Sequence, residues 1–266
     1  MSSLSIFCDE SGTMPVDDAE GVFCVAVLTT QTSAIRIEER SGHIEDIGVK
    51  LKELECLPQV VFVKPRDGYS NLLRSKMSKM NTMARASRLV TGSHEYLPGS
   101  AHNSRNLIWI RCMALCVVRA VIRRAELSPI NSVRVILDEK TLPQPSRRMF
   151  EDRVRCLRDD ILGPNADAAS EGRSDSAVVR NIRFARDQVS ITWSSPDTDD
   201  GLYLAHRLSG LAKTAIEKST QSDCARVLGM EQGNLFYDST SDVIRPVSKR
   251  SVERWKLRTG LPEPLE

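Results

Sequence analysis

The chain has 266 residues, 41% of them hydrophobic and 27% charged, with a formal net charge of +2. That is enough for one large domain or two small ones of ordinary globular composition. Arg or Asp interrupts every apolar stretch before the roughly 18 residues a membrane-spanning helix needs, and the first residues carry no basic start with an apolar run behind it. A membrane protein and a secreted one are therefore not expected.

The seven cysteines lack framework spacing, so reduced thiols in a cytoplasm are the expectation. The small net charge hides an asymmetry. From Lys64 to Arg124 the only acids are Asp67 and Glu95, set against many Lys and Arg. Such a segment is either a solvated helix surface or a phosphate-binding face.

"LSIFCD", Leu4 to Asp9, reads as a buried strand, and "GVFCVAVLTT", Gly21 to Thr30, as a second. The connector between them carries Gly, Pro and Asp, which suits a hairpin. From Thr32 to Glu55, Ile35, Ile44, Ile47, Leu51 and Leu54 recur at roughly helical spacing. "QVVFVK", Gln59 to Lys64, is a third strand.

Tyr69 to Val90 reads as a basic amphipathic helix whose Met77, Met80 and Met83 form a packing stripe. Thr91 to Ser104 is a polar loop with His94 and His102. Arg105 to Glu126 is a long, largely buried helix; Cys112 and Cys116 lie one turn apart on it. With no second ligand pair nearby they read as core residues rather than zinc ligands.

Val133 to Asp138 is a fourth strand, and Gln144 to Leu162 a helix with Met149, Val154, Leu157 and Ile161 on its apolar side. Gly163 to Ala177 is polar and rich in small residues, the composition of a mobile segment. Gln188 to Ser195 is a fifth strand, with "VRNIRFA" either pairing with it or leading into it. Asp197 to Ser219 is a helix with Asp199 or Asp200 near its N-cap. The signals after Asp223 are weaker; "SVERWKLRTGL" suits a short basic helix packing back through Trp255.

Two strands end alike, in Asp9-Glu10 and in Asp138-Glu139. A carboxylate ending a buried strand is costly unless water, a cation or a turn receives it. Asp is also a common strand exit because it makes local turns. If the two strands are sheet neighbours, the carboxylates converge and repel, and a divalent cation is the usual remedy.

"IFCDESG" resembles the opening signature of the domain-of-unknown-function-3800 family, placed in the ribonuclease-H-like superfamily. "VILDEK" is similar to that family's later strand ending in Asp, here Asp138, and Lys64 in "VFVKPRD" fits a Lys near the third strand. "YLAHRLSG", Tyr203 to Gly210, resembles its last helical motif, with His206 where Asp is expected and Tyr203 where Gln is expected. Some nucleases of the superfamily have His in this last position, and Asp199 or Asp200 could compensate for the missing Asp.

The resemblance spans roughly Leu4 to Ile216. It implies an α/β, ribonuclease-H-like fold with a five-stranded mixed central sheet flanked by helices. The Asp9 and Asp138 strands would be adjacent and parallel, with the final helix bringing His206 to their ends. The expected organisation is a domain over 1–222 with a helical insertion at about 66–128, and a C-terminal extension over 223–266 packing on it.

The implied activity is metal-dependent cleavage of phosphodiester bonds in nucleic acid, RNA or DNA, in a bacterial defence or mobile-element setting. Asp9, Asp138 and His206 would bind magnesium or manganese in a two-metal site, supported by Glu10, with Lys64 on a phosphate. Arg74, Lys76, Lys79, Arg123 and Arg124 are candidate backbone contacts. The alternatives are a nucleic-acid-binding or assembly subunit that kept the fold and lost catalysis, and a metal-dependent phosphatase. A protein partner or a homo-oligomer is left open.

Overall fold

The computed structural model describes residues 2–12, 23–32, 35–38, 40, 44–63, 101–139, 142–163, 176–218, 235–238 and 243–246. Seven strands form one sheet: β1 (Ser3–Ser11), β2 (Phe23–Thr30), β3 (Leu57–Val63), β4 (Ser132–Asp138), β5 (Val189–Ser194), β6 (Leu235–Asp238) and β7 (Val243–Pro246). Their spatial order is β5-β4-β1-β2-β3-β6-β7. β2 is antiparallel to both of its neighbours, β1 and β3, while β4 is parallel to β1 and β5 to β4. The five strands β3-β2-β1-β4-β5 thus have the order and polarity of the ribonuclease-H-like fold. The expected five strands are all present, and β6 and β7 extend the β3 edge by two short strands that the weak signals after Asp223 did not suggest.

Helices cover both faces, so the central strands are largely buried; every residue of β2 is buried. Strand residues alternate between faces. Leu4, Ile6 and Cys8 of β1 join Val133, Val135 and Leu137 of β4 in a core roofed by α2 (Ala101–Ala125), α3 (Gln144–Arg155), α4 (Leu157–Leu162) and α5 (Ala177–Asn181). Phe7 and Ile136 face the other way, into a core with α1 (Ile44–Glu53) and α6 (Asp200–Lys218). Cys112 and Cys116 of α2 are fully buried in the first core as free thiols, as their spacing suggested. No helix among the described residues is long and apolar enough to cross a membrane.

Three local expectations change. The helix expected from Thr32 begins only at Ile44. Ile35 and Ile37 are half-buried while Arg36 and Glu38 are exposed, the alternation of extended chain, and the Ile37 amide donates to Asp200 rather than to a helical carbonyl. The Gln144–Leu162 helix is broken at Cys156. Val154 and Leu157 are buried as expected, but Phe150 and Leu162 join them, while Met149 and Ile161 sit at the margin. "VRNIRFA" leads into β5 instead of pairing with it: it holds the end of α5, and Ile182 makes a lone bridge to Ile130. The expected loop at 91–104 gives way to helix from Ala101, and the helix expected at 69–90, the mobile segment at 164–175 and the Trp255 helix lie outside the described residues.

Two contacts fix the layers around the end of β4. Trp193 of β5 stacks on Trp109 of α2, with ring centroids 6.4 Å apart, and meets Phe150 of α3 at 6.0 Å. On the opposite face α6 sits hard against β1. A Cβ at Gly201 would lie 2.4 Å from the Phe7 ring, so only glycine allows this approach. Gly201→Ala should cost about 1–3 kcal/mol of stability through overpacking, read by denaturant unfolding. Phe7→Leu combined with it should recover part of the loss, whereas full additivity of the two changes would show that the contact is not the cause.

Candidate active site

Asp138 ends β4, and Asp9 stands in the adjacent parallel β1 just past the last paired rung between the two strands. Cys8 stands opposite Leu137, so the two aspartates occupy the next rung, with backbones about 4.8 Å apart. Asp9 has the parity of Phe7 and Asp138 that of Ile136, so both carboxylates emerge on the α6 face. The order of strands accounts for the meeting: a right-twisted parallel pair brings its C-terminal ends to one edge, and α6 returns across that edge after β5.

α6 supplies the third group. Asp199 caps its first turn, accepting from the Leu202 amide at 2.9 Å. Leu204, Ala205, Leu208 and Ala212 then hold the helix on the sheet, which leaves His206 at the rim. Its Nδ1 lies 2.7 Å from Asp9 Oδ2; the imidazole is 54% exposed and the Asp9 side chain 1%. A nearly desolvated carboxylate is thus hydrogen-bonded to a half-exposed ring. With Asp9 ionised, Nδ1 carries the proton and donates, because a carboxylate only accepts.

The electrostatics follow from this crowding. Burial, and then the charge of Asp9, push the Asp138 carboxyl above its ordinary value; the Glu139 amide and His206 pull it back, and Asp197 adds to the rise. Burial pushes the neighbouring Cys8 thiol up strongly, and the Asp9 charge adds to it, so this thiol stays protonated and inert. Asp197 is the group that sequence reasoning missed. It is exposed on the short Ser195–Asp199 connection, where its amide bonds Ser195 Oγ at 3.2 Å. Its place between the end of β5 and the start of α6 was the available signal.

The other expected residues that the structure describes do not join the group. Glu10 has the parity of Ile6 and Cys8, so it emerges on the α2 face, where it is buried. Asp199 is occupied as the cap, and Asp200 is bound by Ile37 and Arg40, so neither replaces a missing helical Asp. Arg123 donates to the Pro58 carbonyl at 2.9 Å. Arg124, 9% exposed, donates to the carbonyls of Glu55 at 3.0 Å and Thr29 at 3.2 Å. They tie the end of α2 to the opposite edge of the sheet and are not open phosphate contacts. Lys64, Arg74, Lys76 and Lys79 lie outside the described residues. Among the described residues no three His, Cys, Asp or Glu side chains form a ready-made metal cage.

No family model matches the chain, and no curated protein is similar to it. Among solved structures, a chain of the PCNA:RNase HII complex from Archaeoglobus fulgidus is similar over 97% of this chain and 91% of its own, at 12% identity and a TM-score of 0.40. At that score the likeness carries no argument; the fold class rests on the strand order and polarity given above.

The raised Asp138 carboxyl has a consequence for stability. The folded chain holds this proton more tightly than the unfolded chain does, so the contribution is full below the ordinary aspartate value, about 3.9. It is lost as pH rises through the raised native value. Asp138→Asn should therefore match the wild type in acid and exceed it in melting temperature at neutral pH. A variant less stable than wild type at neutral pH would show that its charge is compensated rather than strained.

Proposed function

We propose that this protein is a metal-dependent nuclease that cleaves phosphodiester bonds in nucleic acid. One observation carries the reading: two carboxylates from adjacent parallel strands emerge on one face, and a helical imidazole closes on the first of them at 2.7 Å. Their donor chemistry fits a hard divalent cation. Both are oxygen ligands, and the strain on Asp138 from burial and from Asp9 is what a cation would relieve. Magnesium commonly takes only one or two protein carboxylates and completes its shell with water and substrate phosphate, so a pair of aspartates suffices. Asp9 and Asp138 would hold magnesium or manganese, which when bound supplies a Lewis acid at the phosphoryl oxygen.

The protein's own groups then have distinct tasks. Burial of Asp9 excludes water from one side of the site. His206 fixes the orientation of the Asp9 carboxylate, as an outer partner of a ligand does, while the rest of its exposed ring faces solvent and an arriving strand. His206 therefore serves this reading through Nδ1 as a holder of Asp9. Lys64 and the basic segment at 74–79 would meet the phosphate backbone, giving salt-dependent affinity with little base preference. Membership of the domain-of-unknown-function-3800 family belongs to the same proposal, carried by Asp9-Glu10-Ser11-Gly12 at the end of β1, and a defence or mobile-element setting follows from that family alone.

A second reading, a nucleic-acid-binding or assembly subunit without catalysis, is favoured by one observation: the residue in the final helix is an imidazole already engaged with Asp9. Calorimetric titration with manganese, run beside a cleavage assay on RNA and DNA, separates the two. The nuclease reading expects manganese binding below millimolar concentration and a loss of at least about a hundredfold in cleavage for Asp9→Asn and for Asp138→Asn, with circular dichroism unchanged. No binding at millimolar manganese would favour the second reading. Full activity in either variant would remove that residue from the mechanism.

A further inference from the structure

Asp199 and Asp200 are adjacent but serve different partners. Asp199 caps α6 itself, which frees Asp200 from that task. Both Asp200 oxygens are instead taken by the extended segment containing Ile35, Ile37 and Arg40. Oδ2 accepts from the Ile37 amide at 2.9 Å, and Oδ1 accepts from Arg40 Nε at 3.2 Å and Nη2 at 2.9 Å. The same guanidinium lies 4.8 Å from the centroid of the Tyr203 ring, one turn further along α6. Ile35 and Ile37 pack against the core shared by α1 and α6. The segment thus grips the first turn of α6 by two kinds of contact.

That grip acts where the helix has least freedom. Gly201, the next residue, is seated on Phe7, two residues before Asp9. His206 lies six residues beyond Asp200, about 9 Å along the axis at 1.5 Å per residue. A small tilt or roll of the first turn is therefore carried to the imidazole. A hydrogen bond of 2.7 Å to a nearly desolvated carboxylate tolerates little displacement.

We infer that Asp200 and Arg40 are positioning residues: through their paired contact the extended segment sets the seat of α6 on β1 and holds His206 Nδ1 on Asp9. The inference deepens the nuclease reading and, where it concerns rate, rests on it. Neither residue touches the reacting groups. The pair is partly solvated, with side-chain exposures of 35% for Arg40 and 22% for Asp200, so its removal should spare the fold; exposed pairs add little stability.

The test uses the full-length protein with Asp200→Asn and Arg40→Met, and Arg40→Lys as the conservative variant. The first readout is the His206 imidazole in nuclear magnetic resonance spectra without added metal, which needs no activity. Both disruptive variants should weaken the hydrogen-bonded Nδ1–H signal and speed its exchange with solvent. Arg40→Lys should fall between them and wild type, because an ammonium cannot reproduce the two-pronged contact. The second readout is cleavage: kcat should fall about tenfold or more while KM stays within about twofold, as for a misplaced group rather than lost substrate binding. An unchanged imidazole signal in both disruptive variants would overturn the inference. A changed signal in the variants, alongside a wild-type protein that cleaves nothing, would uphold the positioning and sink the nuclease reading instead.

Discussion

The site depends on one desolvated carboxylate. Asp9 stands near the C-terminal end of a strand buried on both faces there, and its side chain has 1% of its surface exposed. An ionised group so placed is costly without hydrogen bonds or counter-charge. The chain answers with an imidazole from a helix nearly two hundred residues later in sequence. The requirement that α6 reach β1 closely enough to make that bond accounts for much nearby detail: glycine at the crossing with Phe7, a cap that ends the β5 connection within five residues, and small or aliphatic side chains along the sheet side of the helix.

The fold distributes labour between its two faces. The α2 side is an apolar layer with buried thiols and an aromatic cluster, with Glu10 buried at its edge. On the α6 side, the C-terminal end of the β1–β4 pair becomes polar. Alternation along a strand makes this division sharp: Cys8 and Leu137 belong to the dry face, and the very next residues belong to the polar rim. Arg123 and Arg124 anchor α2 at the far edge, away from that rim.

Strands were the most legible part of the sequence, because "LSIFCD", "GVFCVAVLTT" and "SVRVILD" are apolar runs bounded by polar or turn residues, and such runs have few alternatives. The adjacency of β1 and β4 was not in those runs; it came with the family resemblance, and the strand order bears it out. Helical spacing misled at Ile35, which belongs to an extended segment with Ile37 and not to the helix of Ile44, Ile47 and Leu51. Their segment is extended because Asp200, far off in sequence, takes the Ile37 amide. The Cys156 break in the α3–α4 region likewise has no marker, neither proline nor glycine, in the sequence. In the site, the repeated Asp-Glu ending was informative for its first residue: Glu10 faces the other side of β1 from Asp9, and Glu139 lies beyond the end of β4. Asp197 went unseen because its significance depends on where the β5 connection travels.

The Asp9–His206 bond also orders events in time. The first aspartate is made well before its partner, which follows 197 residues later in the chain. During synthesis at the ribosome, β1, β2 and β4 can emerge and begin to pair while that end of the sheet still lacks the imidazole. Contacts so distant in sequence form late, after a large loss of chain freedom. A polypeptide that stalls or is cut before α6 therefore leaves the aspartates without their clasp.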